Sequence, residues 1–249
     1  MGNTLIDWTD KVWNPCTGCE KIAPECRECY AEGWAKRLQA MGNPRYVNGF
    51  KVTLHPQALK EPFGWKGNVM CFLPSMGDLF HDDVPDDFID QVIDVVEQTP
   101  NVTYQLLTKR SDRLKAYFAQ RRCAPNLWLG VTCGHKDSMS KVDDLREIAA
   151  PVRFISAEPL LGDLANEGMD LTGIDWCIVG GESGNNNARP MKEAWAVNMK
   201  SLADASGTTF FFKQWGVWGA DGVFRSKKAN GHLLGGVEYH NYPTPRLNY

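Results

Sequence analysis

The feature that most constrains the fold is a regular alternation of short apolar runs with longer helical stretches along the 249-residue chain. The apolar runs are rich in β-branched and aromatic residues, which is typical of strands buried on both faces. The longer stretches show helical periodicity, clearest in the stripe of Ile89, Val92, Ile93 and Val96. At this chain length the alternation predicts a parallel α/β barrel.

The sequence predicts eight strands and five main helices. The strands are expected at residues 11–13, 51–54, 69–73, 103–107, 127–131, 152–155, 176–179 and 209–212, and the helices at 29–41, 86–98, 111–120, 138–149 and 191–205. We therefore expect an α/β fold, a complete or nearly complete (β/α)8 TIM-type barrel formed by residues 1–216. Glycines and prolines dominate residues 217–249, which predicts a loop-rich tail packed on the barrel.

Composition limits the function classes. The net charge of −3 gives no global basic field for nucleic acid, although residues 109–115 form a local basic stretch. No basic start followed by an apolar stretch opens the chain, and no segment reaches the length that spans a bilayer. We expect a cytoplasmic protein, in the host cytoplasm if phage-encoded, with no membrane partner.

Four cysteines, Cys16, Cys19, Cys26 and Cys29, lie within one short segment near the amino end. Cysteine thiolates are preferred ligands of zinc and of iron–sulfur clusters. Two C-x2-C pairs match a structural zinc site with four thiolates, whereas three ligands would leave one iron of a [4Fe–4S] cluster open to an organic ligand. Disulfides between these cysteines are a further alternative, and the interpretations stay open at this point.

Polar residues follow almost every predicted strand, and in a parallel barrel these positions meet at one mouth, where barrel enzymes place their chemistry. The cysteine segment follows the first strand. The other strand exits carry Ser75 and Asp78, Lys109 and Arg110, Thr132 and Cys133, Ser156 and Glu158, the turn from Gly180 to Gly184, and Lys213 and Gln214. Glycines in the fifth of these exits let a backbone approach a ligand, and Glu182 is suited to an ammonium or to ribose hydroxyls. We therefore predict a shared active site.

Several motifs together resemble a phage-associated family with a three-cysteine motif, a domain of unknown function related to the radical S-adenosylmethionine (SAM) superfamily. The resemblance covers roughly residues 5–218. It rests on WTD with WNP and GC at residues 8–19, CxxCYAE at 26–32, SMGDLFH at 75–81, LTKR at 107–110, SAEPLLG at 156–162, GGESG at 180–184, ARPM at 188–191 and FFKQWG at 211–216.

That resemblance implies a radical SAM barrel in which Cys19, Cys26 and Cys29 hold a [4Fe–4S] cluster on the loop after the first strand. Cys16 stands where the family usually has an apolar residue, so the resemblance does not make it a ligand. In the superfamily the open iron binds the amino and carboxylate groups of SAM, and reductive cleavage of SAM starts hydrogen abstraction from a substrate. An external one-electron reductant is then required.

Roles for the mouth residues follow as hypotheses. Ser75, Asp78, Glu158, Gly180, Gly181, Glu182 and Ser183 are assigned to the cofactor; Lys109, Lys213 and Glu158 to catalysis; and Arg110, Arg189 and Gln214 to an anionic substrate. The leading substrate is a nucleotide or a base in phage DNA, acted on by an isomerase, lyase or transferase. Two alternatives remain: a nucleic-acid-binding protein with a four-cysteine zinc site, and a barrel hydrolase using Glu158 and Glu182 as acid and base.

Overall fold

The computed structural model describes residues 4, 6–184 and 187–246. Its strands are β1 (Lys11–Val12), β2 (Cys16–Thr17), β3 (Thr53–Leu54), β4 (Val69–Leu73), β5 (Val102–Thr108), β6 (Leu127–Thr132), β7 (Arg153–Ala157), β8 (Trp176–Gly180), β9 (Thr209–Gln214), β10 (Leu233–Leu234) and β11 (Val237–Glu238). Its α-helices are α1 (Tyr30–Ala40), α2 (Asp86–Gln98), α3 (Ser111–Phe118), α4 (Ser140–Arg146), α5 (Glu193–Ser206) and α6 (Lys227–Asn230). Short 3-10 helices cover Pro24–Cys26, Pro44–Tyr46, Pro56–Lys60, Pro62–Gly64 and Lys136–Ser138.

Seven parallel strands form the main sheet in the order β1-β4-β5-β6-β7-β8-β9. Helices α2, α3, α4 and α5 connect neighbouring strands, while the cysteine segment and α1 lie between β1 and β4. An irregular segment, rather than a helix, joins β7 to β8. Consecutive strands are therefore neighbours in space, and their carboxyl ends lie along one edge.

The sequence-based prediction of eight barrel strands is wrong for residues 51–54. That region forms β3, which pairs antiparallel with β2 of the cysteine segment and stays outside the main sheet. Both residues of β3 are only half-buried, so the run lacks the two buried faces of a central barrel strand. Within the described residues β1 and β9 do not pair, and the barrel is therefore partial rather than complete.

Aromatic packing on the inner face shows that the sheet curls. The ring of Trp8 lies 4.7 Å from the ring of Phe72 on β4 and 6.1 Å from the ring of Trp176 on β8. Those strands are four steps apart, which in a flat sheet would separate them by about 19 Å. A second, larger apolar cluster on the outer face packs β4 to β9 against the helices, and the buried stripe of α2 lies in it as the periodicity predicts.

The carboxyl-terminal segment runs along the last strand of the sheet. The amide of Phe212 on β9 donates to the carbonyl of Tyr239 at 2.8 Å, and the indole of Trp176 donates to the carbonyl of Asn241 at 2.9 Å. Tyr242 then reaches the amino-terminal segment, donating to the carbonyl of Asp7 at 3.3 Å. The segment thus covers the open edge of β9 on the side where the barrel does not close. No helix in the described part of the chain has the length and apolarity needed to cross a membrane.

Gly130 on β6 tests the packing of the barrel interior. A methyl group at this position would overlap the fully buried ring of Phe154 on β7. We expect Gly130→Ala to lower the free energy of unfolding by about 1–3 kcal/mol, the usual cost of overpacking. Chemical denaturation measures the effect.

Gly33 provides the matched control, because a methyl group there meets no atom within 4 Å and the residue lies inside α1. Gly33→Ala should leave stability unchanged or raise it by up to about 1 kcal/mol. Equal effects of the two substitutions would contradict the proposed packing.

Candidate functional site

A cavity of about 520 Å³ lies at the carboxyl ends of the parallel strands. Residues from the amino-terminal segment, the cysteine segment and six strand exits line it together, including Trp8, Cys19, Glu25, Cys26, Cys29, Tyr30, Ser75, Asp78, Lys109, Thr132, Ser156, Glu158, Gly181, Glu182, Ser183, Lys213, Gln214 and Lys227. The volume is within the range of pockets that bind cofactors and small molecules. The mouth predicted from strand exits is therefore one continuous cavity.

Three of the four clustered cysteines, Cys19, Cys26 and Cys29, line this cavity, and each is a free thiol. Cys26 ends the 3-10 helix, and Cys29 is the N-cap residue of α1. Gly18 brings the chain to Cys19 with φ +92, and a side chain there would overlap the backbone of Lys51. The local backbone thus holds the segment close to β3, so that its thiols face the cavity.

Cys16 has a different environment from the other three. It lies in β2, is 1% exposed and belongs to the large apolar cluster that also contains Trp13. Burial raises the pKa of its thiol far above the ordinary value, with the nearby carboxylate of Asp78 adding to the shift. Cys16 is not among the residues that line the cavity.

Contacts beside the antiparallel β2–β3 pair support the cysteine segment. The buried ring of His55, which follows β3, lies with Nε2 at 2.8 Å from Thr17 Oγ1, and its amide donates to the carbonyl of Pro15 at 2.7 Å. Burial lowers the pKa of His55 to about 4, and the positive charge of Arg45 contributes. The native contacts beside the β2–β3 pair therefore involve the neutral form of His55.

Glu25 also ties the cysteine segment to the barrel, and sequence reasoning missed it. One carboxylate oxygen accepts hydrogen bonds from the amides of Gly134 at 2.8 Å and His135 at 3.1 Å, beyond the end of β6. The other oxygen is buried and has no hydrogen-bond partner within the described chain. Only its position between Cys19 and Cys26 could have signalled a role.

Arg110 lies beside Cys19 rather than free in the cavity. Its Nη1 is 3.6 Å from Cys19 Sγ and 3.5 Å from Asp78 Oδ2, and its Nη2 is 3.4 Å from Glu20 Oε1. The pKa of Cys19 is raised, mainly by burial and by Asp78, while Arg110 opposes the shift. Asp78 is fixed in turn by the hydroxyl of Thr108 at 2.6 Å.

Glu158 and Lys213 form an ion pair inside the cavity. Lys213 Nζ lies 2.9 Å from Oε1 and 3.1 Å from Oε2 of Glu158, and the hydroxyl of Ser156 donates to the same carboxylate at 3.3 Å. The ammonium also lies 5.9 Å from the ring centre of Trp8. Both charged groups are mostly shielded from solvent, with side-chain exposures of 17% and 13%. The structure thus brings together two residues assigned to catalysis.

The third residue assigned to catalysis, Lys109, lines the same cavity. Its backbone amide donates to Asp78 at 3.1 Å. Its ammonium makes no hydrogen bond or ion pair in the described part of the chain, so this cation faces the cavity without a protein partner. Lys227 of α6 adds a further cation that sequence reasoning missed, because the tail carries no motif that points to the mouth.

The polar groups of the turn after β8 mostly form hydrogen bonds or ion pairs within the protein. The amide of Gly181 donates to the carbonyl of Gln214 at 2.9 Å, and the carboxylate of Glu182 pairs with the guanidinium and the backbone amide of Arg189. The side chain of Gln214 bonds the backbone of Gly181 and Gly216. Arg189, Gln214 and Glu182 are therefore engaged with one another's segments, and Glu182, Gln214 and Ser183 also line the cavity.

Ser75 is positioned by Asn14, another residue that sequence reasoning missed. Asn14 Oδ1 accepts hydrogen bonds from the amides of Ser75 at 2.8 Å and Met76 at 2.9 Å. The hydroxyl of Tyr30 donates to the carbonyl of Ser75 at 2.7 Å. These bonds join the exit of β4 to both ends of the cysteine segment.

A single metal ion and an iron–sulfur cluster require different spacings of their ligands. Within residues 4, 6–184 and 187–246, no three His, Cys, Asp or Glu side chains converge closely enough to hold a single metal ion. Ligands of one zinc ion must all lie about 2.3 Å from a single point. The three thiolates of an iron–sulfur cluster bind different irons and therefore stand farther apart. Cys19, Cys26 and Cys29 are free thiols that line one cavity.

One protein family matches nearly the whole chain. The family described as "Protein of unknown function (DUF5131)" matches residues 3–243. The chain belongs to this family. Membership in a family of unknown function is what the sequence resemblance implied, while the phage association stays a prediction. Among the curated proteins, none matches significantly.

Among solved structures, a cysteine-to-alanine mutant of spore photoproduct lyase with dinucleoside spore photoproduct is similar to this DUF5131 chain. The TM-score is 0.46 and the sequence identity 11%. The similarity covers 80% of this chain and 62% of that chain.

The buried His55 beside the β2–β3 pair predicts that the stability of the protein depends on pH. Because the pKa of His55 is lowered in the folded state, the unfolded chain binds more protons between about pH 6.5 and 4, and stability falls on acidification. From pH 7 to pH 5, this site should lower the free energy of unfolding by up to about 2 kcal/mol.

Urea denaturation of the wild type and His55→Gln at both pH values measures this contribution. The glutamine takes no proton, so the wild type should lose stability relative to the variant at pH 5. A difference between the two proteins that stays constant with pH would contradict the assignment to His55.

Proposed function

We propose that the protein is a radical SAM enzyme that acts on a nucleotide or on a base in DNA. The observation that carries the proposal is that Cys19, Cys26 and Cys29 face one cavity together with polar side chains from six strand exits. Cys16, by contrast, is buried in the apolar core. A zinc site with four thiolates would need that fourth sulfur, so the placement favours three ligands.

Cys19, Cys26 and Cys29 would hold the [4Fe–4S] cluster. A cluster with one open iron supplies the binding point and the electron for reductive cleavage of SAM. The residues around it fit this use, because the donors are thiols without disulfides and the adjoining cavity is large enough for an organic ligand. An external low-potential reductant remains necessary.

The Glu158–Lys213 pair is the polar centre of the cavity wall. Lys213 holds both oxygens of Glu158, which fixes the carboxylate close to the exits of β7 and β9. A fixed carboxylate can accept hydrogen bonds from ammonium or ribose hydroxyl groups of SAM without ordering cost at the moment of binding. Lys213 offers protons at the same place, so the pair combines cofactor binding with proton transfer.

The other residues assigned to the cofactor differ in whether their polar groups already bond within the protein. Ser183 lines the cavity and has a hydroxyl group suited to polar parts of SAM. Ser75 also lines the cavity, but its hydroxyl contacts the side-chain amide of Asn14 at 3.2–3.3 Å, so the protein already orients it. Asp78 is already committed to Thr108 and the amide of Lys109, so its contribution is to order these strand exits. Glu182 similarly orders its turn through Arg189.

The cations at the mouth support an anionic substrate. The ammonium of Lys109 has no ion-pair partner among the described residues, and Lys227 reaches the cavity from the tail. Half-exposed aromatic side chains of Tyr30 and Trp34 share the lining and offer surfaces on which a base can stack. A base within a duplex would have to leave the stack to enter. We propose isomerase, lyase or transferase chemistry on such a base.

Oxygen-free reconstitution with iron and sulfide tests the cluster. The wild type and Cys16→Ala should each bind about four irons per chain and become brown. Cys19→Ala, Cys26→Ala and Cys29→Ala should each lose most of the iron and the visible absorbance. Formation of 5′-deoxyadenosine from SAM with dithionite then tests the reaction class. One colourless zinc per chain that depends on all four cysteines would overturn the proposal.

Glu158→Gln tests the cofactor site separately. The substitution removes the negative charge that Lys213 holds, and we expect SAM affinity to fall about tenfold, or about 1.4 kcal/mol, as for loss of one charged hydrogen bond. Equilibrium dialysis of the reconstituted proteins measures it. Glu193→Gln on the outer helix α5 is the control and should bind SAM like the wild type. Unchanged affinity of Glu158→Gln would remove Glu158 from the cofactor site.

A further inference from the structure

Arg110 is a buried cation in contact with one of the proposed cluster ligands. Its side chain is 6% exposed, and Nη1 lies 3.6 Å from Cys19 Sγ, within hydrogen-bonding distance for sulfur. Cys19 itself is half-buried. Sequence reasoning assigned Arg110 to substrate, but its guanidinium points to the cysteine segment.

The surrounding groups fix this orientation. Asp78 Oδ2 and Glu20 Oε1 accept from the two terminal nitrogens at 3.5 and 3.4 Å. The amide of Arg110 donates to Thr108 Oγ1 at 3.0 Å, and the same hydroxyl donates to Asp78. If this guanidinium turned into the cavity, the buried carboxylate of Asp78 would lose its ion-pair partner, which is costly.

We infer that Arg110 is a positioning residue that raises the reduction potential of the cluster through its contact with Cys19. The inference rests on the proposed function and names a role within that site. Hydrogen bonds to the sulfur ligands and local charge are the means by which a protein sets the potential of an iron–sulfur centre.

The direction in which Arg110 shifts the reduction potential follows from the charge balance. In the one-electron reduction, an external reductant such as dithionite loses one electron, the group held by the cysteines gains it, and no bond has to break. The site becomes one unit more negative, so a fixed positive charge at Cys19 stabilises the reduced form more than the oxidised form.

The two carboxylates beside Arg110 do not reverse this sign. Glu20 has a side-chain exposure of 62%, so solvent and salt screen its charge. Asp78 is buried and would remain next to Cys19 if the guanidinium were removed. Loss of Arg110 therefore removes a positive charge and uncovers a negative one, and both changes make reduction harder.

The test is the midpoint potential of the reconstituted protein, followed by electron paramagnetic resonance during an anaerobic redox titration. In Arg110→Gln, the ratio of reduced to oxidised cluster at a fixed potential should fall at least about tenfold, which for one electron is about 59 mV. Arg110→Lys keeps the positive charge but loses the planar guanidinium with its two terminal nitrogens. Its midpoint potential should therefore lie between those of Arg110→Gln and the wild type.

Arg113→Gln is the matched control. Arg113 lies on the same helix, α3, but contacts Asp86 and the carbonyl of Val84 instead of a cysteine. The midpoint potential of Arg113→Gln should equal that of the wild type. Circular dichroism and iron content of each protein establish that folding and loading are comparable.

The outcomes separate this inference from the proposed function. A wild type that takes up no iron overturns both. A wild type that loads normally, with Arg110→Gln loaded at an unchanged potential, overturns only the role of Arg110. Folded Arg110→Gln and Arg110→Lys proteins that both fail to load would show that Arg110 is needed for assembly, which also overturns its role in the potential.

Discussion

Packing of aromatic rings around Trp8 is the interaction on which the rest of the structure depends. Trp8 contacts strands from both halves of the sheet, and its carbonyl accepts a hydrogen bond from the buried amide of Gln105 at 2.9 Å. Aromatic pairs of this kind contribute about 0.5–1.5 kcal/mol each beyond their buried area. Because they hold the parallel strands in a curve, residues that are far apart in sequence meet at one mouth. Without the curl, the strand exits would form a row instead of a cavity.

The charges at the mouth are organised into pairs, which explains how a chain with little net charge can build a polar cavity. Glu158 with Lys213, and Glu182 with Arg189, neutralise each other at short range. Buried charges without such partners would cost several kcal/mol each. The pairing leaves Lys109 as a cation directed at the cavity. Specificity for an anion would then come from this local charge rather than from the field of the whole protein.

The sequence predicted the elements of the fold better than the closure of the barrel. Periodicity located α2 at its observed bounds, because its apolar stripe is fully buried and regular. It failed at residues 51–54, where a short half-buried run can pair with any neighbouring edge. Strand exits likewise identified the mouth, since parallel strands must end on one side. Chain order cannot show which way a long side chain turns, and this is why Arg110 and Glu25 needed the structure.

The different burial of the four cysteines connects the fold to the proposed chemistry. In β2, successive side chains point to opposite faces, but the chain leaves that strand at Gly18, where the positive φ redirects it. Cys16 therefore stays with Trp13 in the core, while Cys19 emerges at the cavity beside Arg110. The antiparallel β2–β3 pair separates two cysteines that a spacing argument treats as an equivalent pair. This backbone leaves three thiols at the cavity and the fourth in the core, which agrees with the proposed centre of three thiolates.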